Sequence, residues 1–158
     1  MRPILFLDVD GVINADATDD SRPATIDGIT VVYRPSVVDW VNHLARDGVA
    51  SVVWLTTWRP DHLPLLVEAL GFDHFDQPRR EHGSIASWDA NWWKLGTLRA
   101  VLAGQETRRW AWLDDDIADA TAEQLRLEFP AGLPYRVDSR PGLTDYDMAV
   151  VETWLRAR

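Results

Sequence analysis

Short apolar runs alternate with helical patterns along the whole chain. Four consecutive apolar residues, 4–7, follow Pro3 and lead straight into Asp8. An unbroken apolar run of that length, closed by turn chemistry, predicts a strand buried on both faces, as in a parallel sheet. Residues 13–28 read as loop, and the β-prone run 29–33 predicts one arm of a hairpin or flap over the strand end. Pro35-Ser36 opens a helix with Val37, Trp40, Val41 and Leu44 on its apolar face, closed by Gly48. A second buried strand is predicted over 50–55, ending in Thr56-Thr57-Trp58. Asp61 is the expected cap of a helix bearing Leu63, Leu66, Val67 and Leu70 and stopped by Gly71. A short third strand is expected over 72–75, then a polar loop over 76–88. Asp89 is the expected cap of a helix carrying Trp92, Trp93, Leu95, Leu98, Val101 and Leu102. The fourth strand, 110–113, ends in Asp114-Asp115-Asp116, with Asp116 read as cap of an alanine-rich helix over 118–128. A fifth strand over 135–137 precedes a last helix, capped by Thr144, with Met148, Val151, Trp154 and Leu155 inward.

Such alternation predicts a three-layer, Rossmann-like α/β domain with a mainly parallel five-stranded sheet and right-handed crossovers. The length of 158 residues suits one domain spanning 1–158. The sequence has no cysteine, and Met1-Arg2-Pro3 leads directly into the first strand without a signal peptide, so a cytoplasmic location is expected. No stretch approaches the ~20 apolar residues of a membrane span, and no membrane partner is expected. The net charge of −9 works against passive binding to long nucleic acid but leaves room for a local phosphate site. The sixteen basic residues are fifteen arginines and a single lysine, Lys94.

Polar residues of a particular kind stand at the predicted strand ends and helix starts: Asp8 and Asp10, then Thr56, Lys94, and Asp114 with Asp115. In a parallel sheet all strand carboxyl ends point the same way, so these groups can converge on one crevice. Two carboxylates so close beside an apolar wall need a cation between them or a shared proton. Clustered carboxylates without Cys or His suit Mg²⁺, while a hydroxyl and an ammonium can hold phosphate oxygens. A carboxylate nucleophile can split phosphate ester hydrolysis into two steps through an aspartyl-phosphate. Gly11 lets the chain turn sharply after Asp10.

In order and spacing these residues resemble the haloacid dehalogenase (HAD) superfamily of aspartate-nucleophile phosphatases. The first motif, DxDG(T/V), is Asp8-Val9-Asp10-Gly11-Val12; the second is Val52-Val53-Trp54-Leu55-Thr56; the third is Lys94; the fourth is Trp110-Ala111-Trp112-Leu113-Asp114-Asp115. The segment Val137-Asp138-Ser139-Arg140-Pro141-Gly142-Leu143-Thr144 and the Trp-rich second motif are also similar to small bacterial HAD domains linked to RNA repair systems. The resemblance implies that Asp8 attacks phosphorus, and that Asp10 protonates the leaving group and later deprotonates water. It implies Mg²⁺ held by Asp8, the Asp10 backbone carbonyl and Asp114, helped by Asp115, with Thr56 and Lys94 on the phosphate. Family members specialised as ion-pump ATPases carry Thr where Asp10 stands, so the chain resembles the phosphatases. Neither 13–35 nor 58–94 is large enough for a folded cap, so a capless protein with a small flap is expected. Capless relatives tend to act on phosphoproteins or nucleic acid ends, or borrow a partner subunit as a lid.

Other readings compete. Lys94 could be a solvated helix lysine, although a chain using arginine at every other basic position argues otherwise. Thr57 could serve in place of Thr56. His43 and His62 read as surface or packing residues. Arg79, Arg80 and His82 stay open between a solvated loop and a substrate-phosphate patch. A phospho-receiver module uses the same residue types, but it places its acid pair on the first strand and the accepting Asp before Thr and Lys. A toprim-like nuclease needs a strand Glu before its DxD strand, and none precedes Asp8. A catalytically inactive HAD-fold binding module is the remaining alternative. Trp58, Trp92 and Trp93 neighbour Thr56 and Lys94, and an exposed ring among them is expected to offer a stacking platform for a base.

Overall fold

β1 (Ile4–Leu7) is buried along its whole length and pairs in parallel with β4 (Ser51–Trp54) on one side and β5 (Trp110–Asp114) on the other. β6 (Gly132–Arg136) adds in parallel beyond β5, giving the order β4-β1-β5-β6. The computed structural model describes residues 1–80, 90–105 and 107–157, without the side chains of residues 90–92. From β1 the chain moves out to β4 through α1 (Pro35–Arg46). It then passes back over β1 to β5 through α2 (Leu63–Leu70) and α3 (Ala90–Leu102). The strand order thus reverses between β1 and β5, and a crevice opens at their carboxyl ends.

The pleat divides the core into two layers. Leu5, Leu7, Val52, Trp54, Ala111 and Leu113 face α1, α2 and α5 (Asp145–Arg156). Ile4, Phe6, Val53, Leu55, Trp110 and Trp112 face α3 and α4 (Asp119–Glu128). Because the strands are covered on both sides, they need apolar residues at every position, the pattern that makes them legible in the sequence.

Among the described residues the parallel sheet has four strands, not the expected five. The segment after α2 contributes one parallel bridge, Asp76 to Val53. The amides before it are committed elsewhere. Gly71 ends α2 in the left-handed conformation, the Phe72 amide bonds back to the Val67 carbonyl (3.0 Å), and the Asp73 amide donates to Asn42 Oδ1 (2.8 Å). Phe72 and Phe75 instead pack on Trp54, with ring centroids 5.2 and 5.8 Å away.

The flap is a hairpin of β2 (Arg22–Ile26) and β3 (Ile29–Tyr33), joined by Asp27 and Gly28 at φ 48° and 80°. A two-residue turn with both φ positive matches the twist of the strands. Its first arm lies in the region expected to be loop, because Arg22-Pro23-Ala24-Thr25 lacks an apolar pattern and lies on the surface. Two caps also differ from expectation. Asp61 accepts two hydrogen bonds from Arg59 (3.0 and 2.9 Å), and α2 starts without a side-chain cap. α4 begins after Ala118, two residues late for Asp116 to cap it. Thr144 does cap α5, in a reciprocal capping box with Asp147. The expected cap Asp89 and the loop residue His82 lie outside the described residues. Among the described residues no helix is long and apolar enough to cross a membrane.

Gly132 tests how tightly β5 and β6 are packed. A Cβ there would lie 2.0 Å from ring atoms of the fully buried Trp110. Gly132→Ala is expected to destabilise by about 1–3 kcal/mol through overpacking. Thermal unfolding checks this, and an unchanged Tm would show that the ring yields freely.

Candidate active site

The register of β1 and β5 sets Leu7 beside Leu113, so the next residues, Asp8 and Asp114, come side by side. The Asp8 amide donates to the Leu113 carbonyl (3.1 Å) and continues the ladder to that point. Both carboxylates are buried, with relative exposures of 4% and 0%. Lys94, in the second turn of α3, donates to Asp8 Oδ2 at 2.5 Å and to Asp114 Oδ2 at 2.6 Å. The other oxygens are also engaged: Asp8 Oδ1 accepts from the Val9 amide (2.7 Å) and Asp114 Oδ1 from the Asp116 amide (3.0 Å).

Two carboxylates and one ammonium leave an excess negative charge that is almost wholly buried. Burial, helped by the Asp114 charge, pushes the Asp8 pKa up to about 7 against the pull of Lys94. For Lys94 burial works downward, but the charges of Asp8 and Asp114 outweigh it and the net shift is upward. Asp115 is raised by burial and by Asp114.

Asp8, Asp114 and Asp115 can each bring one carboxylate oxygen within 4.8 Å of the others. Three hard oxygen donors so arranged fit Mg²⁺. Asp115 is held against Gly11, where an added Cβ would lie 2.3 Å from Asp115 Cγ and where φ is 73°. Gly11 therefore provides both the turn and the space for Asp115.

A cleft of about 570 Å³ lies over this cluster, with Asp8, Asp10, Thr57, Lys94, Asp115 and Ser139 in its lining. Asp10 is exposed at its lip. Asp10 Oδ1 accepts from the Asn14 side-chain amide (2.8 Å) and Oδ2 from the Trp58 indole N–H (3.1 Å). Asn14 Oδ1 in turn accepts from the Val32 amide of β3 (2.9 Å).

Of the two threonines after β4, Thr57 is exposed and lines the cleft, while Thr56 is buried and its Oγ1 accepts from the Trp58 amide (3.3 Å). Arg80 Nη2 gathers the carbonyls of Thr56, Thr57 and Trp58 at 3.3, 2.9 and 3.0 Å, and its guanidinium lies 4.5 Å over the Trp93 ring. Of Arg79, Arg80 and His82, read from the sequence as either a solvated loop or a phosphate patch, Arg80 holds the second-motif turn. Trp58 is core at 7% exposure and offers no open platform for a base, while Trp93 is half-buried with Arg80 over one face of its ring. The Trp92 side chain lies outside the described residues. Asn14 was not singled out by the sequence; the available signal was its place four residues after Asp10, beyond the Gly11 turn.

Acids closing the two central strands around one buried lysine, on a sheet of this order, define the haloacid dehalogenase class of α/β folds. Residues 4–148 match the family described as the HAD domain in Swiss Army Knife RNA repair proteins, and the chain belongs to that family. In fold it is similar to the HAD domain of the effector protein Lem4 from Legionella pneumophila, at 16% identity and a TM-score of 0.57, over 96% of this chain and 93% of that one. It also aligns with 3-deoxy-D-manno-octulosonate 8-phosphate phosphatase from Yersinia pestis, at 19% identity and a TM-score of 0.45, over 98% of this chain and 80% of that one. No curated protein matches the sequence at comparable significance.

The raised Asp8 pKa has a sign that can be checked. Between its ordinary value of 3.8 and about 7, the folded state retains a proton that the unfolded chain has released. The metal-free protein is therefore expected to lose stability from Asp8 as pH rises through that window. Asp8→Asn should flatten the slope. Denaturant unfolding in chelator at several pH values measures both, and a wild-type slope unchanged in the variant would assign it to other groups.

Proposed function

We propose that this protein is a Mg²⁺-dependent phosphohydrolase that works through an aspartyl-phosphate on Asp8 and acts on the terminal phosphate of a nucleic acid. One observation carries the reaction type: a buried carboxylate at the end of the central strand, bonded to a buried lysine, under an open cleft. The RNA repair proteins in the family's description support a nucleic acid end as substrate. So does the small flap, since the segment between β1 and α1 folds as a hairpin and not as a cap domain.

In this reading Asp8 attacks phosphorus as the bond to the leaving oxygen breaks, and Asp10 gives that oxygen its proton. Asp10 then takes a proton from water as the water oxygen attacks the aspartyl-phosphate, releasing inorganic phosphate and regenerating Asp8. Lys94 neutralises charge on the phosphate oxygens, and a threonine hydroxyl, Thr56 or Thr57, holds one of them. Of these, Thr57 has the access to the cleft. Asp8, Asp114, Asp115 and the Asp10 backbone carbonyl would hold Mg²⁺, which when bound supplies positive charge to the transferring phosphoryl group.

Asp8→Asn is expected to abolish release of phosphate from a 3′- or 5′-phosphorylated oligonucleotide with Mg²⁺, while the folded state survives. Asp10→Asn should slow turnover by roughly 10²–10⁴-fold. Excess chelator should stop the reaction, and Asp114→Ala should raise the Mg²⁺ concentration needed. Phosphate release at the wild-type rate by Asp8→Asn would overturn the mechanism. Turnover of phosphopeptides but of no oligonucleotide would keep the mechanism and replace the substrate.

A further inference from the structure

We infer that Trp58 and Asn14 are positioning residues for Asp10: together they fix its carboxylate so that its remaining lone pairs are left for the leaving oxygen and for water. The inference rests on the phosphohydrolase reading and concerns the acid–base step within it.

Asp10 stands beyond the end of β1 at an exposed lip, where a short acidic side chain alone has no fixed orientation. Two donors from different parts of the fold supply one. The Trp58 indole reaches Oδ2 from the turn after β4, and the Asn14 amide reaches Oδ1 from the turn after β1. An indole N–H can donate but cannot accept. Asn14 has an amide whose two ends could be exchanged, but its oxygen already accepts from the Val32 amide, which leaves the NH₂ group for Asp10. Neither partner can therefore take the proton that Asp10 must deliver. The remaining lone pairs of the carboxylate are the ones left for the leaving oxygen and for water.

Both donors are themselves held in place. Trp58 is 7% exposed, its amide donates to Thr56 Oγ1, and its carbonyl accepts from Arg80. The Asn14 turn is closed by the Gly11 amide on the Asn14 carbonyl (2.8 Å) and is tied to the flap, since the Ala15 amide donates to the Val32 carbonyl (3.1 Å). The hairpin thus reaches Asp10 through Val32 and Asn14.

The test compares kcat/KM on β-glycerol phosphate, whose alkoxide must be protonated as it leaves, with kcat/KM on p-nitrophenyl phosphate, whose phenolate can leave unaided. Asp10→Asn, Trp58→Phe and Asn14→Ala are measured together. Trp58→Phe keeps an aromatic ring in the core and deletes the N–H; Asn14→Ala lies in a half-buried turn outside the core. Each positioning variant is expected to lose roughly tenfold or more on the alkyl ester and several-fold less on the aryl ester, the pattern of Asp10→Asn in weaker form. A purely structural role would lower both rates alike. Equal losses on the two esters, or no loss on either, would overturn the inference while the Asp10→Asn pattern stands. If Asp10→Asn itself shows no dependence on the leaving group, the acid–base role falls, and this inference with it. As a readout apart from activity, the Trp58 indole proton should exchange with solvent faster in Asp10→Ala than in wild type, and unchanged exchange would show that the bond to Asp10 is not formed.

Discussion

One ammonium between two buried carboxylates is the constraint on which the rest of the structure depends. Removing Asp8 and Asp114 from water costs several kcal/mol each, and only close, well-directed contacts offset that. Lys94 supplies them at 2.5 and 2.6 Å. For this to happen β1 and β5 must be neighbours in one register, and α3 must bring its second turn over their ends. A lysine suits the place because its charge is compact, whereas a planar guanidinium spreads its donors across a fork. The arginines of this chain show the contrast. Arg46 with Asp73 and Arg99 with Glu128 form two-point pairs that match the fork to both carboxylate oxygens and stay open to solvent. The buried triad gains its value from what it leaves over, an uncompensated negative charge that a cation or a proton must answer.

How much of this the sequence reveals follows from which groups carry each feature. Strands β1, β4 and β5 announce themselves because both faces are covered and each position must be apolar. The convergence of Asp8, Lys94 and Asp114 follows from the same fact, since parallel strands end on one side. The expected third strand fails because the Val67 carbonyl and the Asn42 side chain claim the Phe72 and Asp73 amides that a strand would need. The first arm of the hairpin is hidden because a surface strand of Arg, Pro, Ala and Thr carries no period. Asp61 has a cap-forming residue type but finds Arg59 first, while Asp116 stands too far ahead of α4. Residue type alone does not decide between such local partners.

The turn after β4 shows a further limit. Its shape is fixed by a guanidinium that arrives from residue 80 and binds three main-chain carbonyls, and carbonyls leave no trace in a sequence. The pair Thr56-Thr57 is ambiguous in the sequence for this reason. Only the folded turn decides that Thr57 faces the cleft and that Thr56 supports Trp58. Gly11 is a similar case: its freedom to turn is legible, but its close approach to Asp115 is not.

The charge of the cleft constrains what kind of nucleic acid contact is possible. Asp8, Asp10, Asp16, Asp115 and Asp116 are all in its lining, together with Lys94, and the whole chain carries −9. A surface of that sign repels a polyanion laid along it, and affinity gained by releasing counterions from many phosphates is not available to it. A single terminal phosphate is a different case. It would come to the one buried ammonium and to acids that suit a divalent cation, while the rest of the strand stays in solvent where salt screens its charges. Under the proposed function, the site as built therefore suits recognition of an end better than recognition of a length.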